Sequence, residues 1–417
     1  MSTTTIGGSE VGRGVSAIVG GVDRDVSIVT NNVAHFFDEI LGYHELFKSV
    51  DRRYLTSGKK ERPKLAFTTY RAEAVISRGL TNERDIEELM GWIELSPKFM
   101  TIDEELEIIH QAACVIDDAL DGSPLRRGFP TPNTVLSVED CHRLGRHILE
   151  ESQKLAERSD LNKYRREQLS QIRSSLNDGE IRERALRQRL VKDRIYGVRP
   201  TEEAIRDILF EKTEIDTLKT AKHFEYASLI GAEYGHGSSI DNGSLPEEKR
   251  RISETRRTLY IDLGWRIGRA CQFTDDGLDV IGKEEVTGKP PGLDIVNGIV
   301  NMVHLMALQN PNIPRKSANR LYRTIVDEEY NGGSVDSKRV QKANRIAADY
   351  GIEPLHDLIR VEASRIIDLM SEISQGNPII YNTLRMVLDI SVCNGLSSKI
   401  FVSSIEDTFL QVLESKS

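Results

Sequence analysis

Six aspartates arranged in two runs define the chemistry this chain can do. Asp117-Asp118-Ala-Leu-Asp121 and Asp275-Asp276-Gly-Leu-Asp279 share one spacing, and each closes an apolar stretch of helical character. On a helix, Asp117 and Asp121 lie one turn apart on a single face with Asp118 beside them, and Asp275, Asp276 and Asp279 repeat the pattern. Both runs fall at C-terminal helix ends, where the helix dipole disfavours negative charge, so a cation is needed to relieve them. Hard divalent cations take carboxylate and phosphate oxygens together, which points to magnesium and a phosphate-bearing ligand. One such run among 65 acidic residues would be read as a solvated helix end. Two runs suggest facing helices that share a metal cluster across a cavity.

The elements that must position these groups are helices. From Asn32 onward apolar residues recur at three- and four-residue spacings, and alternating runs bounded by hairpin turns are scarce, so an all-α fold is expected. Thr101 with Glu104, and Ser137 with Asp140, read as capping boxes, and Pro200-Thr201-Glu202-Glu203 opens a further helix. Residues 1–31, rich in Gly, Ser, Thr and Val without helical period, read as a poorly ordered arm, and 32–417 as one helical domain. Loops are expected over 235–246 and 282–292.

Composition removes several function classes. A net charge of −9 from 56 basic and 65 acidic residues argues against nucleic acid as a partner, and any anion must be met by a local basic cluster. Eleven Lys/Arg against five Asp/Glu between Lys163 and Arg199 break the acidic average, but no aromatic platform accompanies them, so a solvated helix is the favoured reading. The longest uncharged stretch, Ile295 to Pro314, carries four Asn, a His, a Gln and two Pro and does not suit a bilayer. Four scattered cysteines show no paired motif, and no basic-then-apolar leader opens the chain, so a cytoplasmic location is expected.

Five elements in order give the chain its likeness to a family. Gly58-Lys59-Lys60-Glu61-Arg62-Pro63, Asp117 to Gly128 with its trailing Arg126-Arg127, Lys219-Thr220-Ala221 with Gly231-Ala232, Gln272 to Asp279, and Gly288-Lys289-Pro290 with Asp294 together resemble the trans-isoprenyl diphosphate synthases, the polyprenyl synthetase family. The resemblance implies an isoprenoid synthase-type helical bundle around a central cavity. It implies that Asp117, Asp118, Asp121, Asp275, Asp276 and Asp279 hold about three magnesium ions that bridge an allylic diphosphate. Arg126, Lys219 and Lys289 would grip that diphosphate with Thr220 and Gln272 beside it, and Lys59, Arg62, His110 and Arg127 would bind isopentenyl diphosphate. Asp117, Asp118, Asp121, Lys219, Asp275 and Asp276 are the expected catalytic set. Ala112 and Ala113, just below the first run, would leave the product tunnel open, giving geranylgeranyl diphosphate or longer. A homodimer is implied as well.

The sequence also departs from the family pattern. Arg146 follows Gly145 where the family has an acid, Gly179-Glu180 stands for a Gly-Gln element, and Gly298-Ile299-Val300-Asn301 lacks a basic residue. These departures motivate two alternatives: a cyclase-like enzyme that ionises a prenyl diphosphate without isopentenyl diphosphate, and a regulatory subunit of a heteromeric synthase. Retained Lys59, Arg62, His110 and Arg127 count against the first. The six mutually repelling carboxylates count against the second.

Overall fold

The computed structural model describes residues 11–43, 45–58, 60–159, 161–195, 201–237, 252–282, 290–326 and 337–388. Helix follows helix, and a two-residue hairpin, Leu125–Arg126 against Phe129–Pro130, is the sheet among these residues. The all-α expectation holds.

The first helix, α1, spans Val11–Tyr43. Ile18, Val22, Val26, Val29, Val33 and Phe37 are buried along it, so the arm expected through residue 31 is corrected from residue 11 on. The weak apolar period there is supplied by valines spaced at three and four, which tertiary packing makes helical in spite of modest propensity. Residues 1–10 lie outside the described residues.

After a short helix α2 (Arg52–Thr56) come α3 (Glu61–Ser77), α4 (Glu83–Trp92) and α5 (Pro97–Asp121). Thr101 does not cap α5. The helix begins a turn earlier, with Pro97 at its first position, where the missing N–H costs nothing, and Thr101 Oγ1 donates to the Pro97 carbonyl at 3.1 Å. Ser137 does cap α6 (Val138–Arg158), accepting from Asp140 N at 3.1 Å. The basic stretch forms α7 (Lys163–Ile195), and Thr201 caps α8 (Glu202–Asp216). A π-helical segment, Thr217–Ala221, joins α8 to α9 (Lys222–Gly237). The long α10 (Glu254–Ile281) follows, then α11 (Leu293–Asn297), α12 (Met302–Gln309), α13 (Arg315–Ile325), α14 (Lys338–Ser374) and α15 (Pro378–Leu388). The expected loop from 235 begins after Gly237, where α9 ends; 238–251 and 283–289 lie outside the described residues.

Helix α9 runs between α3 and α10, and α10 packs in turn on α14. One core lies around α1, α5, α6 and the upper half of α3, with Phe37, Phe67, Phe99 and Ile109 fully enclosed. A second lies around α10 and α12 to α15. The C-terminal ends of α5 and α10 both reach the α8–α9 unit.

Candidate functional site

Two lysines of that unit show how the aspartate runs are placed. Lys219 in the π segment reaches Asp117 Oδ1 of α5 at 3.3 Å, and Lys212, two turns earlier in α8, lies 3.7 Å from Asp276 Oδ2 of α10. The π segment widens the backbone locally, a feature common at functional positions, and it is here that Lys219 and Thr220 sit. Both runs therefore face one helical segment.

Lys219 is surrounded by more negative charge than it can balance. Its ammonium lies 2.7 Å from both Glu180 Oε1 and Glu183 Oε2 of α7, in addition to Asp117. Burial opposes ionisation of Asp117, yet Lys219, a hydrogen bond from Glu180 and the nearby Arg126 hold its carboxyl below the usual range. Burial and the Asp117 charge push Glu180 up to about 9, so Glu180 carries the proton of the pair. Three carboxyl groups around one ammonium is an arrangement that a proton or a further cation must complete.

The remaining aspartates are held by protein donors. Asp118 is buried, accepting from Arg126 Nη1 at 2.8 Å and from the Tyr54 hydroxyl at 2.7 Å. Asp276 is buried too, accepting from Gln272 Nε2 at 2.9 Å and from Met302 N at 2.8 Å, and burial raises its pKa against the pull of Lys212. Thr220 Oγ1 donates to Gln272 Oε1 at 2.9 Å, which joins the π segment to the second run in one chain of hydrogen bonds. Asp279 caps the entry to α11, with Asp294 N donating to its carboxylate at 3.3 Å, while Asp275 is exposed. Lys212 also pairs with Asp216, whose carboxyl is pushed up to about 7 by burial.

A second basic group sits beside the first run. Arg127 (φ 55°) and Gly128 (φ 80°) form the tight turn of the hairpin, and this turn sends Arg127 back to the Ser57 carbonyl at 2.6 Å. Gly58 sits at φ 139°, a backbone conformation that L side chains rarely adopt, which favours glycine there. Arg62, on the first turn of α3, lies 4.9 Å above the Phe224 ring. The His110 imidazole is pushed well down by burial and then by Arg62, Arg127 and Arg126, so it is neutral. Its Sγ neighbour, Cys114, lies one turn further along α5 at 3.7 Å. Ala113 is half-buried one turn below Asp117, whereas Ala112 is enclosed against α6, where a Cβ on Gly145 would meet its carbonyl at 3.2 Å.

Of the residues singled out from sequence, Asp117, Asp118, Arg126, Lys219, Thr220, Gln272 and Asp276 are linked directly as above; His110, Arg62 and Arg127 gather beside them. Lys59 and Lys289 lie outside the described residues, as does the side chain of Asp121. Sequence reasoning missed Tyr54, Glu183, Lys212 and Asp216. The spacing of Lys212, Asp216 and Lys219 along one face was a signal; Glu183 was disguised by the arginines around it. The carboxylates, hard oxygen donors at two helix ends in excess of the local positive charge, suit magnesium in kind. Among the described residues no three acidic, histidine or cysteine side chains stand close enough together to hold an ion as they are.

The described helices have the architecture of solved isoprenoid synthases. A polyprenyl synthase from Caulobacter crescentus CB15, complexed with calcium and isoprenyl diphosphate, superimposes with a TM-score of 0.65 at 19% identity, covering 91% of this chain and 97% of that one. Geranylgeranyl pyrophosphate synthetase from Pyrococcus horikoshii Ot3 gives a TM-score of 0.57 at 18% identity, covering 89% of this chain and 98% of that one. The polyprenyl synthetase profile matches residues 44–339, and the chain belongs to that family. Among relatives, a prenyl transferase of Synechocystis is 25% identical over 74% of this chain and 80% of its own length. Solanesyl diphosphate synthase 1 of Arabidopsis thaliana, a chloroplast protein, is 25% identical over 76% of this chain and 68% of its own length. Among the described residues no helix is long and apolar enough to cross a membrane.

Proposed function

We propose that this protein is a magnesium-dependent trans-prenyltransferase that condenses isopentenyl diphosphate with an allylic diphosphate. The observation that carries the reading is the meeting of both aspartate runs on the continuous α8–π unit, Asp117 on Lys219 with Glu180 and Glu183, and Asp276 on Lys212 and, through Gln272, on Thr220. Family membership and the synthases among its relatives support the substrate class.

Asp117, Asp118, Asp121, Asp275, Asp276 and Asp279 would hold the magnesium, which supplies charge neutralisation for a departing diphosphate. Lys219 and Arg126, with Lys289, bind the allylic diphosphate, and Thr220 and Gln272 fix its orientation. Lys59, Arg62, Arg127 and His110 hold the homoallylic diphosphate, the arginines through charge-assisted contacts and His110 as a neutral donor. The allylic C–O bond breaks, the diphosphate leaves with the electron pair, and the isopentenyl double bond forms the new C–C bond to the carbocation. A proton is then lost to the released diphosphate, which restores an allylic diphosphate one isoprene unit longer. No protein nucleophile takes part. Assembly as a homodimer, a cytoplasmic location and a count of about three magnesium ions belong to the same proposal and rest on the resemblance.

The test is incubation with magnesium, isopentenyl diphosphate and dimethylallyl, geranyl or farnesyl diphosphate, with products read by mass spectrometry. A ladder of longer prenyl diphosphates, reaching geranylgeranyl diphosphate or beyond, is expected. Hydrocarbons or terpene alcohols formed without isopentenyl diphosphate would replace this reading with a cyclase. No product from any primer would replace it with a partner subunit.

A further inference from the structure

His223, on the first turn of α9, is 1% exposed, and neither of its ring nitrogens has a hydrogen-bond partner. A buried imidazole with both nitrogens unsatisfied is costly, and an apolar residue would fill the same space without that cost. Its surroundings show what it is poised to meet. Arg62 of α3 is its charged neighbour, and Arg62 Nε is likewise buried without a partner. His110 of α5 is near enough for the two rings to interact electrostatically, and Arg126 and Arg127 act on His110 from the hairpin. The adjacent Phe224 ring lies under the Arg62 guanidinium and fixes it. Unused hydrogen-bonding capacity from α3 and α9, with the His110 ring of α5 beside it, therefore converges on one small, cation-rich spot.

We propose that His223 is a binding residue for the homoallylic diphosphate, donating a ring N–H to a phosphate oxygen held jointly by Arg62 and His110. This assignment rests on the prenyltransferase reading above. Burial and Arg62 push the imidazole down to about 3, so it enters the complex neutral, as a hydrogen-bond donor rather than a charge. One nitrogen then finds its partner on substrate binding, and the orphaned Arg62 Nε gains an acceptor at the same moment. The site is thus incomplete without its anion.

The experiment compares wild type with His223→Leu and His223→Gln under steady state, varying each substrate separately, and adds calorimetric titration with isopentenyl diphosphate alone and with inorganic pyrophosphate. In the Leu variant the KM for isopentenyl diphosphate should rise about tenfold or more, the scale of one lost hydrogen bond to a charged group. The KM for the allylic diphosphate should stay within about twofold, within the scatter of neutral substitutions. The Gln variant, which keeps a neutral donor, should recover most of the affinity. An unchanged KM for isopentenyl diphosphate in the Leu variant, or equal rises for both substrates, would overturn the assignment. Should wild type bind isopentenyl diphosphate but turn over no primer, the function reading fails, and the titrations still decide whether His223 binds the anion. Circular dichroism of the Leu variant separates lost binding from lost fold.

Discussion

At the level of single residues, the site is a problem of charge balance. Asp117, Glu180 and Glu183 share Lys219, and Asp118 and Asp276 lean on Arg126, Tyr54 and Gln272. Removing a carboxylate from such a group relieves repulsion and should not weaken the fold, but it removes metal ligation. Asp117→Ala and Asp275→Ala are therefore expected to lose at least about a hundredfold in turnover at unchanged thermal midpoint. Near-normal turnover in both would remove the metal assignment. Glu180 shows how a departure from family pattern is absorbed: where a neutral amide was expected, the acid keeps its proton at about 9 and donates to Asp117.

At the level of elements, α9 and the π segment that leads into it decide where Lys219, Thr220 and His223 point, and glycines let α9 lie close to its neighbours. A Cβ on Gly231 would fall 2.1 Å from the Ala66 carbonyl of α3, and one on Gly264 of α10 would fall 2.3 Å from the Phe224 carbonyl. These obstacles are backbone, which cannot swing aside. Gly231→Ala should cost about 1–3 kcal/mol or more, read by urea unfolding, and lower turnover by displacing the π segment. A variant as stable and active as wild type would show that α9 can move. On α5, Ala113 lies one turn below Asp117 and is half-buried, while Ala112 is closed in by α6. Ala113→Phe is expected to shorten the product, and Ala112→Phe to destabilise the α5–α6 packing instead. An unchanged product distribution in the first variant would place the tunnel floor on another helix.

For the whole molecule, stability should depend on pH through its buried imidazoles. His304 of α12 is fully enclosed, has no partner for either nitrogen, and is pushed down from 6.5 to about 3 by burial and by Lys212. The unfolded chain binds a proton there below about pH 6.5 and the folded one does not, so stability is complete above that pH and falls as the pH drops toward 3. Between pH 7 and 5 this one histidine should remove about 2 kcal/mol. His304→Leu, measured by urea unfolding at both pH values, should flatten the fall by that amount; an identical pH dependence would show that the ring finds a proton-stabilising partner.

Much of the site could be read from the chain because its chemistry depends on residue type and short spacing. The aspartate runs, the Lys219-Thr220 pair, Gln272 and the Arg126-Arg127 turn are local patterns, and helical periodicity alone gives the all-α architecture. The same locality explains the errors. The valines of α1 gain helical structure from the core they bury in, so their sequence read as an arm; Thr101 lost its cap to Pro97 four residues earlier. Only the tertiary structure brought Glu180 and Glu183 out of an arginine-rich helix to Lys219, set Lys212 against Asp276, and left His223 buried without a partner. Those outcomes depend on how helices far apart in sequence pack and on how burial raises or lowers each charge, and neither quantity is carried by residue spacing along one chain.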